Sequence, residues 1–332
     1  MNEKHLKKYL ITGITGFAGP HLAKLLLEKG HEVHGVVRNP NGRDADLLDI
    51  LDNEEYSKIT FNYLDLCHYY GVKKLLDKEN YDGIFHLAAQ SHPPTSFNDP
   101  ILTFQDNVIA SVNIITSIQG TNTKLMFCST SEVYGDSCKE KNILKITDNL
   151  TPSNPYGVSK AAIDMYMQER MQNNFIKGFI TRAFSHTGPR RGYNFSISSD
   201  AYQIAKMKLG LQDKILKIGN LQTERVVIDV RDCVNAYYLL MENENSNGKV
   251  FNVCGEEKHK MEYFTNLLIE KAGYSLEDIK KEIEPRFYRP IDIQVQFGDS
   301  SELKDLTGWK ATIGVEKTMQ DLIDYWVSKL KC

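Results

Sequence analysis

Through the first half of the chain, short runs of β-branched and apolar residues alternate with stretches whose apolar positions recur every three to four residues. Short apolar runs predict strands, a 3.6-residue period predicts amphipathic helices, and their alternation predicts parallel βαβ units. Residues 8–12 read as a first strand, 18–29 as a helix, and 32–37 as a second strand after the turn at Gly30. Residues 59–63 follow as a third strand, 69–78 as a helix, and 83–86 as a fourth strand running into Leu87, Ala88 and Ala89. A long helix is expected over 101–118, a fifth strand over 124–128, a helix over 155–173 and a sixth strand over 179–182. Asn154 followed by Pro155 is a strong helix start, because Asn caps free N–H groups and proline suits the first helical position.

Beyond residue 185 the alternation stops, and residues 188–194 together with 196–200 read as a loop into different architecture. Residues 225–230 and 249–253 look like strands that return to the first sheet, whereas 262–272 and 317–330 look helical. The expected class is α/β: a Rossmann-type doubly wound parallel sheet with a smaller mixed α/β substrate-binding domain. The expected boundaries are 1–185 plus about 225–255 for the cofactor domain, and about 186–224 and 256–332 for the other.

Composition narrows the functional classes. With 332 residues, 41% hydrophobic and 25% charged, the chain can bury a sizeable core. Lys plus Arg total 40 against 43 Asp plus Glu, a net −3, which disfavours a nucleic-acid partner. No apolar run approaches the ~20 residues a membrane helix needs, so no membrane partner is expected. Residues 1–8 are charged and run straight into a strand, so a cytoplasmic location is expected. Six cysteines without a CxxC pair suit reduced thiols, with neither a disulfide framework nor a metal site.

Directly after the first strand come Gly13, Gly16 and Gly19 in a GxxGxxG arrangement leading into a helix. Glycine there permits a tight turn, close approach of a pyrophosphate and close helix–strand packing, with phosphate at the helix N-terminus. At the end of the second strand, where an acidic residue would hold a free ribose 2′-hydroxyl, stands Arg38, with Arg43 nearby. A guanidinium suits a 2′-phosphate, so the expected cofactor is NADP. Asp65 and Leu66 are placed toward the adenine, and Leu87, Ala88 and Ala89 along the cofactor trough. Further on, Tyr156 and Lys160 lie four apart on one helical face. An ammonium beside a phenol favours the phenolate and would draw Tyr156 down from about 10, making it a base for a hydroxyl proton.

These residues, with Thr130 at the end of the fifth strand and the segment from Arg182 to Pro189, resemble the extended short-chain dehydrogenase/reductase family. Within it the chain is most similar to the branch acting on GDP-mannose, the 4,6-dehydratases and the related 4-keto-6-deoxy-sugar reductases. The likeness is carried by Gly13–Gly19, Ala88–Ser91, Ser129–Gly135, Gly219–Leu221 with Arg225, Arg289–Pro290 and Gly308–Trp309. It implies that Tyr156 takes the proton of the sugar 4-hydroxyl, that Thr130 hydrogen-bonds that oxygen, and that Lys160 supports the phenol. Glu132 would remove the proton at carbon 5 and protonate the departing 6-hydroxyl. Thr15, Phe17 and His186 join the cofactor-binding set, and the substrate set is Gln90, Ser91, Ser131, Ser185, Asn220, Arg225, Arg289 and Asp292.

The implied substrate is a GDP-sugar, GDP-mannose or a GDP-linked manno-heptose. The alternatives are an NADPH-dependent reductase of a GDP-4-keto-6-deoxy sugar, a 4-epimerase, and a non-catalytic dinucleotide-binding relative. Arg190-Arg191-Gly192 resembles a loop that reaches a neighbouring subunit's cofactor in the dehydratases, so a homodimer or homotetramer is expected. Three departures stand out: first, His186-Thr187-Gly188-Pro189 and Asp229-Val230-Arg231-Asp232 resemble the reductase subgroup more than the dehydratases. Ser185 replaces the family's asparagine before the histidine, and His92-Pro93-Pro94-Thr95 stiffens the loop expected to border the sugar.

Overall fold

The computed structural model describes residues 6–39, 43–288 and 293–331. Seven strands form one sheet, in the order Val250–Val253, β6 (Lys177–Ala183), β5 (Lys124–Thr130), β4 (Gly83–His86), β1 (Lys8–Thr12), β2 (Glu32–Val37) and β3 (Thr60–Tyr63). Every pairing in it is parallel. The chain builds outward from β1 through β2 to β3, then restarts at β4 on the other side of β1. That reversal opens a crevice at the carboxyl ends of β1 and β4, the place where such sheets bind ligands.

Alternation along the central strands decides which helices cover which face. Tyr9 and Ile11 of β1 enter one core with Leu22 and Leu26 of α1 (Ala18–Glu28) and with Val234, Tyr237 and Leu240 of the Val230–Glu242 helix. Leu10, between them, enters a second core with Val72, Ile114, Ile115, Ile163 and Met167 from helices on the opposite face. A third core lies apart: Ile204, Phe264, Leu268, Met319, Leu322 and Trp326 join the Ser196–Lys208, Met261–Lys271 and Val315–Lys331 helices over the paired Ile215–Ile218 and Lys280–Ile283 strands.

Two sequence expectations are corrected. Residues 225–230 do not return to the first sheet. Glu224–Val226 pairs with Lys258–Lys260 and Val295–Gln296, and Ile228–Asp229 pairs with His186–Thr187. The Val250–Val253 strand takes the open edge of β6, leaving no partner there for the earlier segment. The helix expected over 101–118 is also interrupted. Helices Pro93–Asn98 and Pro100–Phe104 meet at Asp99, whose side chain caps Leu102 N–H at 2.9 Å. A π-helical turn, Gln105–Ile109, then leads into Ala110–Ser117. Such a turn inserts one residue and re-aims its neighbours, and it recurs at functional sites.

One buried ion pair seats the Pro155–Gln172 helix on the sheet. Arg182 of β6 donates from Nε and Nη2 to Asp164, both at 2.9 Å, and Ser129 of β5 donates to the same carboxylate at 2.7 Å. Among the described residues no helix is long and apolar enough to cross a membrane, and no His, Cys, Asp and Glu cluster could hold a metal.

Candidate active site

The glycine-rich turn is built without room for side chains. Gly13 adopts φ +72°, and a Cβ there would stand 2.7 Å from the backbone nitrogen of Ala88. A Cβ on Gly19 would stand 2.4 Å from the carbonyl of Ile14, and Gly16 closes the turn by donating to Gly13 O at 2.8 Å. No side chain caps the N-terminus of α1, so the N–H groups behind Thr15 and Phe17 are left for an anionic ligand. This cradle fits a dinucleotide. The wall opposite is tied to β1: Thr12 accepts Leu87 N–H on its carbonyl at 3.2 Å and Ala88 N–H on its hydroxyl at 3.3 Å. Behind it, His86 bridges Thr12 Oγ1 at 2.7 Å and Ser111 Oγ at 2.8 Å, and burial pushes this imidazole down to about 3.

At the adenosine end, Arg38 leaves β2 half-exposed and donates to Asp106 at 2.9 Å. Asp65 caps its own turn through Cys67 N–H at 2.9 Å, and the Leu66 carbonyl accepts from Asn113 at 2.9 Å. The Arg43 side chain lies outside the described residues.

The reacting groups converge where β5 ends. Thr130 caps the short turn that carries Ser131 and Glu132, accepting Glu132 N–H at 3.3 Å. Tyr156 and Lys160 are buried on the facing helix, with the Lys160 ammonium 4.6 Å from the centre of the Phe127 ring. Burial raises the Tyr156 phenol, and the nearby Thr130 hydroxyl draws it partly back. Burial likewise lowers Lys160. Arg191 is a further cation whose charge lowers the phenol. Asn154 caps this helix through Gly157 N–H at 2.8 Å, and its amide donates to Glu132 Oε2 at 2.8 Å.

Arg190 and Arg191 make contacts within their own chain, beside the glycine-rich turn. Arg190, at φ +73°, donates to the carbonyls of Thr15 at 3.0 Å, Gly16, and Asp46 at 3.1 Å. Backbone carbonyls of the glycine-rich loop satisfy it locally. Arg191 lies 3.4 Å over the Phe195 ring and 4.7 Å from the Phe17 ring, and burial lowers it to about 10. A guanidinium held by rings rather than carboxylates can take an anion. His186 stacks on Phe17 at 5.8 Å and bonds through Nδ1 to Phe184 O at 3.0 Å.

The substrate-side residues are gathered less uniformly. Arg225 is buried on its strand, donating to Glu224 O at 2.9 Å, with Gln296 beside it in register. Ser131 is buried, and Ser185 accepts Ile228 N–H on its carbonyl at 3.1 Å. Asn220 caps Gln222 N–H at 3.0 Å in a turn remote in sequence from the rest. Gln90 spends its side chain on Thr103 at 3.0 Å and on His92 N–H at 2.5 Å, while Ser91 is exposed. Arg289 and Asp292 lie outside the described residues.

The sequence did not single out Asn107, Asn154 as more than a cap, or Gln296. Asn107, swung inward by the π turn, clamps the Gln90 backbone and donates to Ser159 at 2.9 Å. Its one signal was a polar residue inside an apolar helical run. His92 bridges to Asn194 O at 3.1 Å and meets Phe195 edge-on at 5.2 Å, so the start of the Pro93–Asn98 helix, expected as a stiffened loop, touches the loop that carries Arg191.

Comparison with known proteins agrees with this geometry. Residues 10–322 match the GDP-mannose 4,6 dehydratase family. GDP-mannose 4,6 dehydratase 2 of Arabidopsis thaliana is 30% identical, across 95% of this chain and 85% of that one. The GDP-6-deoxy-D-mannose reductase of Pseudomonas aeruginosa is 28% identical, across 98% and 99%. The solved structure of RMD from Pseudomonas aeruginosa complexed with NADPH superposes with a TM-score of 0.80 at 26% identity, covering 97% of this chain and 99% of that one. UDP-glucose 4-epimerase of Thermotoga maritima shares the fold, with a TM-score of 0.84 at 23% identity and coverage of 97% and 99%. The chain belongs to the GDP-mannose 4,6 dehydratase family.

Proposed function

We propose that the protein is an NADP-dependent GDP-sugar 4,6-dehydratase that converts GDP-mannose, or a GDP-linked manno-heptose, to the 4-keto-6-deoxy sugar. The observation that carries this reading is a carboxylate, Glu132, in the same cleft as Tyr156 and two residues from Thr130. A 4-epimerase or a simple ketone reductase needs no base for carbon 5. NADP supplies hydride acceptance from carbon 4 and return to carbon 6. Gly13, Gly16, Gly19, Arg38, Arg191 and His186 would hold it.

The chain's own residues do the rest. Tyr156, buried beside Thr130, takes the 4-hydroxyl proton. The 4-ketone acidifies the proton at carbon 5, which Glu132 removes and then delivers to the departing 6-hydroxyl, so that water leaves; when hydride returns to carbon 6, carbon 5 takes up one proton, which balances the one Tyr156 took from the 4-hydroxyl. Arg225 would grip the nucleotide diphosphate. Residues 1–185 with about 225–255 would serve the cofactor, and about 186–224 with 256–332 the sugar nucleotide.

The assembly would be a homodimer or a pair of dimers, in the cytoplasm. The Pro100–Phe104 helix and the Gln105–Ile109 turn pack on the Pro155–Gln172 helix, and their exposed apolar residues Ile101 (80% exposed), Ile109 (47%), Val158 (40%) and Met165 (62%) would suit a second copy. Purified protein with GDP-mannose and catalytic NADP⁺ tests the activity. Accumulation of the 4-keto-6-deoxy product is expected. Turnover only with stoichiometric NADPH and a keto-sugar would establish the reductase instead.

A further inference from the structure

Glu132 is approached on both oxygens by amide groups. Asn154 donates to Oε2 at 2.8 Å, and Gln296, buried on the Val295–Gln296 strand, reaches Oε1 at 3.5 Å. The two donors belong to different parts of the molecule. Asn154 simultaneously caps the helix that begins at Pro155 and carries Tyr156, through Gly157 N–H at 2.8 Å. Gln296 pairs in register with Arg225, on the strand expected to hold the nucleotide diphosphate. Neighbours directly opposite on paired strands share a face, so Arg225 and Gln296 move together.

We propose that Asn154 and Gln296 form an amide clamp that positions Glu132 for its work at carbon 5, coupling the base to the Tyr156 helix on one side and to the nucleotide-binding strand on the other. This inference rests on the dehydratase reading of Glu132. Amide N–H groups donate to carboxylate oxygens. They also fix its rotamer: a free glutamate has three side-chain torsions, whereas one held at both oxygens points in one direction. The Gln296 contact is at the outer limit of hydrogen-bond length, as catalytic contacts often are before the reacting complex forms. Both are positioning residues, since they act through Glu132.

The test is exchange of the carbon 5 proton of GDP-4-keto-6-deoxy-mannose in D₂O, followed by NMR with NADP⁺ bound. It reads base action alone, without elimination or turnover. Asn154→Asp keeps an oxygen to cap Gly157 N–H but no longer donates to Glu132, and Gln296→Leu removes the other donor at similar volume. Each is expected to slow exchange about 10- to 100-fold, the scale of a lost hydrogen bond to a charged group. The NADP⁺ dissociation constant and melting temperature should stay near wild type. If Glu132→Gln abolishes exchange while both amide variants exchange at the wild-type rate, the clamp is wrong. If the wild type does not exchange, or Glu132→Gln exchanges normally, the reading beneath it falls.

Discussion

Two buried aspartates, one under the cofactor cleft and one in the separate second core, are treated in opposite ways. Asp164 accepts two bonds from Arg182 and one each from Ser129 and Gln168, so its charge is matched where it lies. Asp200 on the Ser196–Lys208 helix has, among the described residues, one hydrogen bond, from Thr265 at 2.7 Å, and burial pushes it up to about 7. A charge that organises elements is sealed by partners, whereas one without a cation is held near neutrality. The cleft follows a third pattern. Tyr156 and Lys160 are buried without a carboxylate bonded to either among the described residues, and Arg191 rests on aromatic rings. Polar groups left to be satisfied by a ligand mark the reacting site, and fully satisfied ones mark the scaffold.

The contrast can be broken from either side. Tyr156→Phe should lower turnover of GDP-mannose by about 10²–10⁴-fold and leave the melting temperature within the error of calorimetry. An equal loss of stability would make Tyr156 scaffold. Asp164→Ala should do the reverse at the fold level, costing about 3–5 kcal/mol in urea unfolding because it strands a buried guanidinium. Arg38→Ala is expected to weaken NADP⁺ binding about 10- to 100-fold while sparing NAD⁺, measured by fluorescence titration of both. Tighter NAD⁺ binding by the wild type would overturn the cofactor assignment.

The smallest effect belongs to Asp200. Its folded-state pKa stands above the unfolded value near 4, so between about pH 4 and 7 the unfolded chain binds fewer protons and stability falls as pH rises. Asp200→Asn should flatten that slope in urea midpoints taken across the window. An unchanged slope would show that Asp200 titrates normally.

Much of the fold was legible because parallel βαβ units advertise themselves. The first six strands stand within a few residues of their expected bounds, and Gly13, Gly16 and Gly19 do occupy a turn that admits no side chain. Val226, Ile228 and Val230 were legible as buried, but an apolar run does not state which strand it will meet. The π turn at Gln105–Ile109 was hidden because it changes the helical register by one residue without changing composition. Arg190 and Arg191 were legible as cations, and their direction was not, since it depends on a left-handed backbone at Arg190 and on carbonyls at Thr15 and Gly16.

By itself the sequence determined the alternation of elements, the phosphate-binding turn and the Tyr156/Lys160 spacing, because each is a local pattern read within a few turns of chain. Only the tertiary structure decided which edge of the sheet stayed open and which amides approach Glu132. Those depend on groups far apart in sequence, such as Gln296 and Glu132 at a separation of 164 residues. No local periodicity encodes such a meeting; packing of the two cores does.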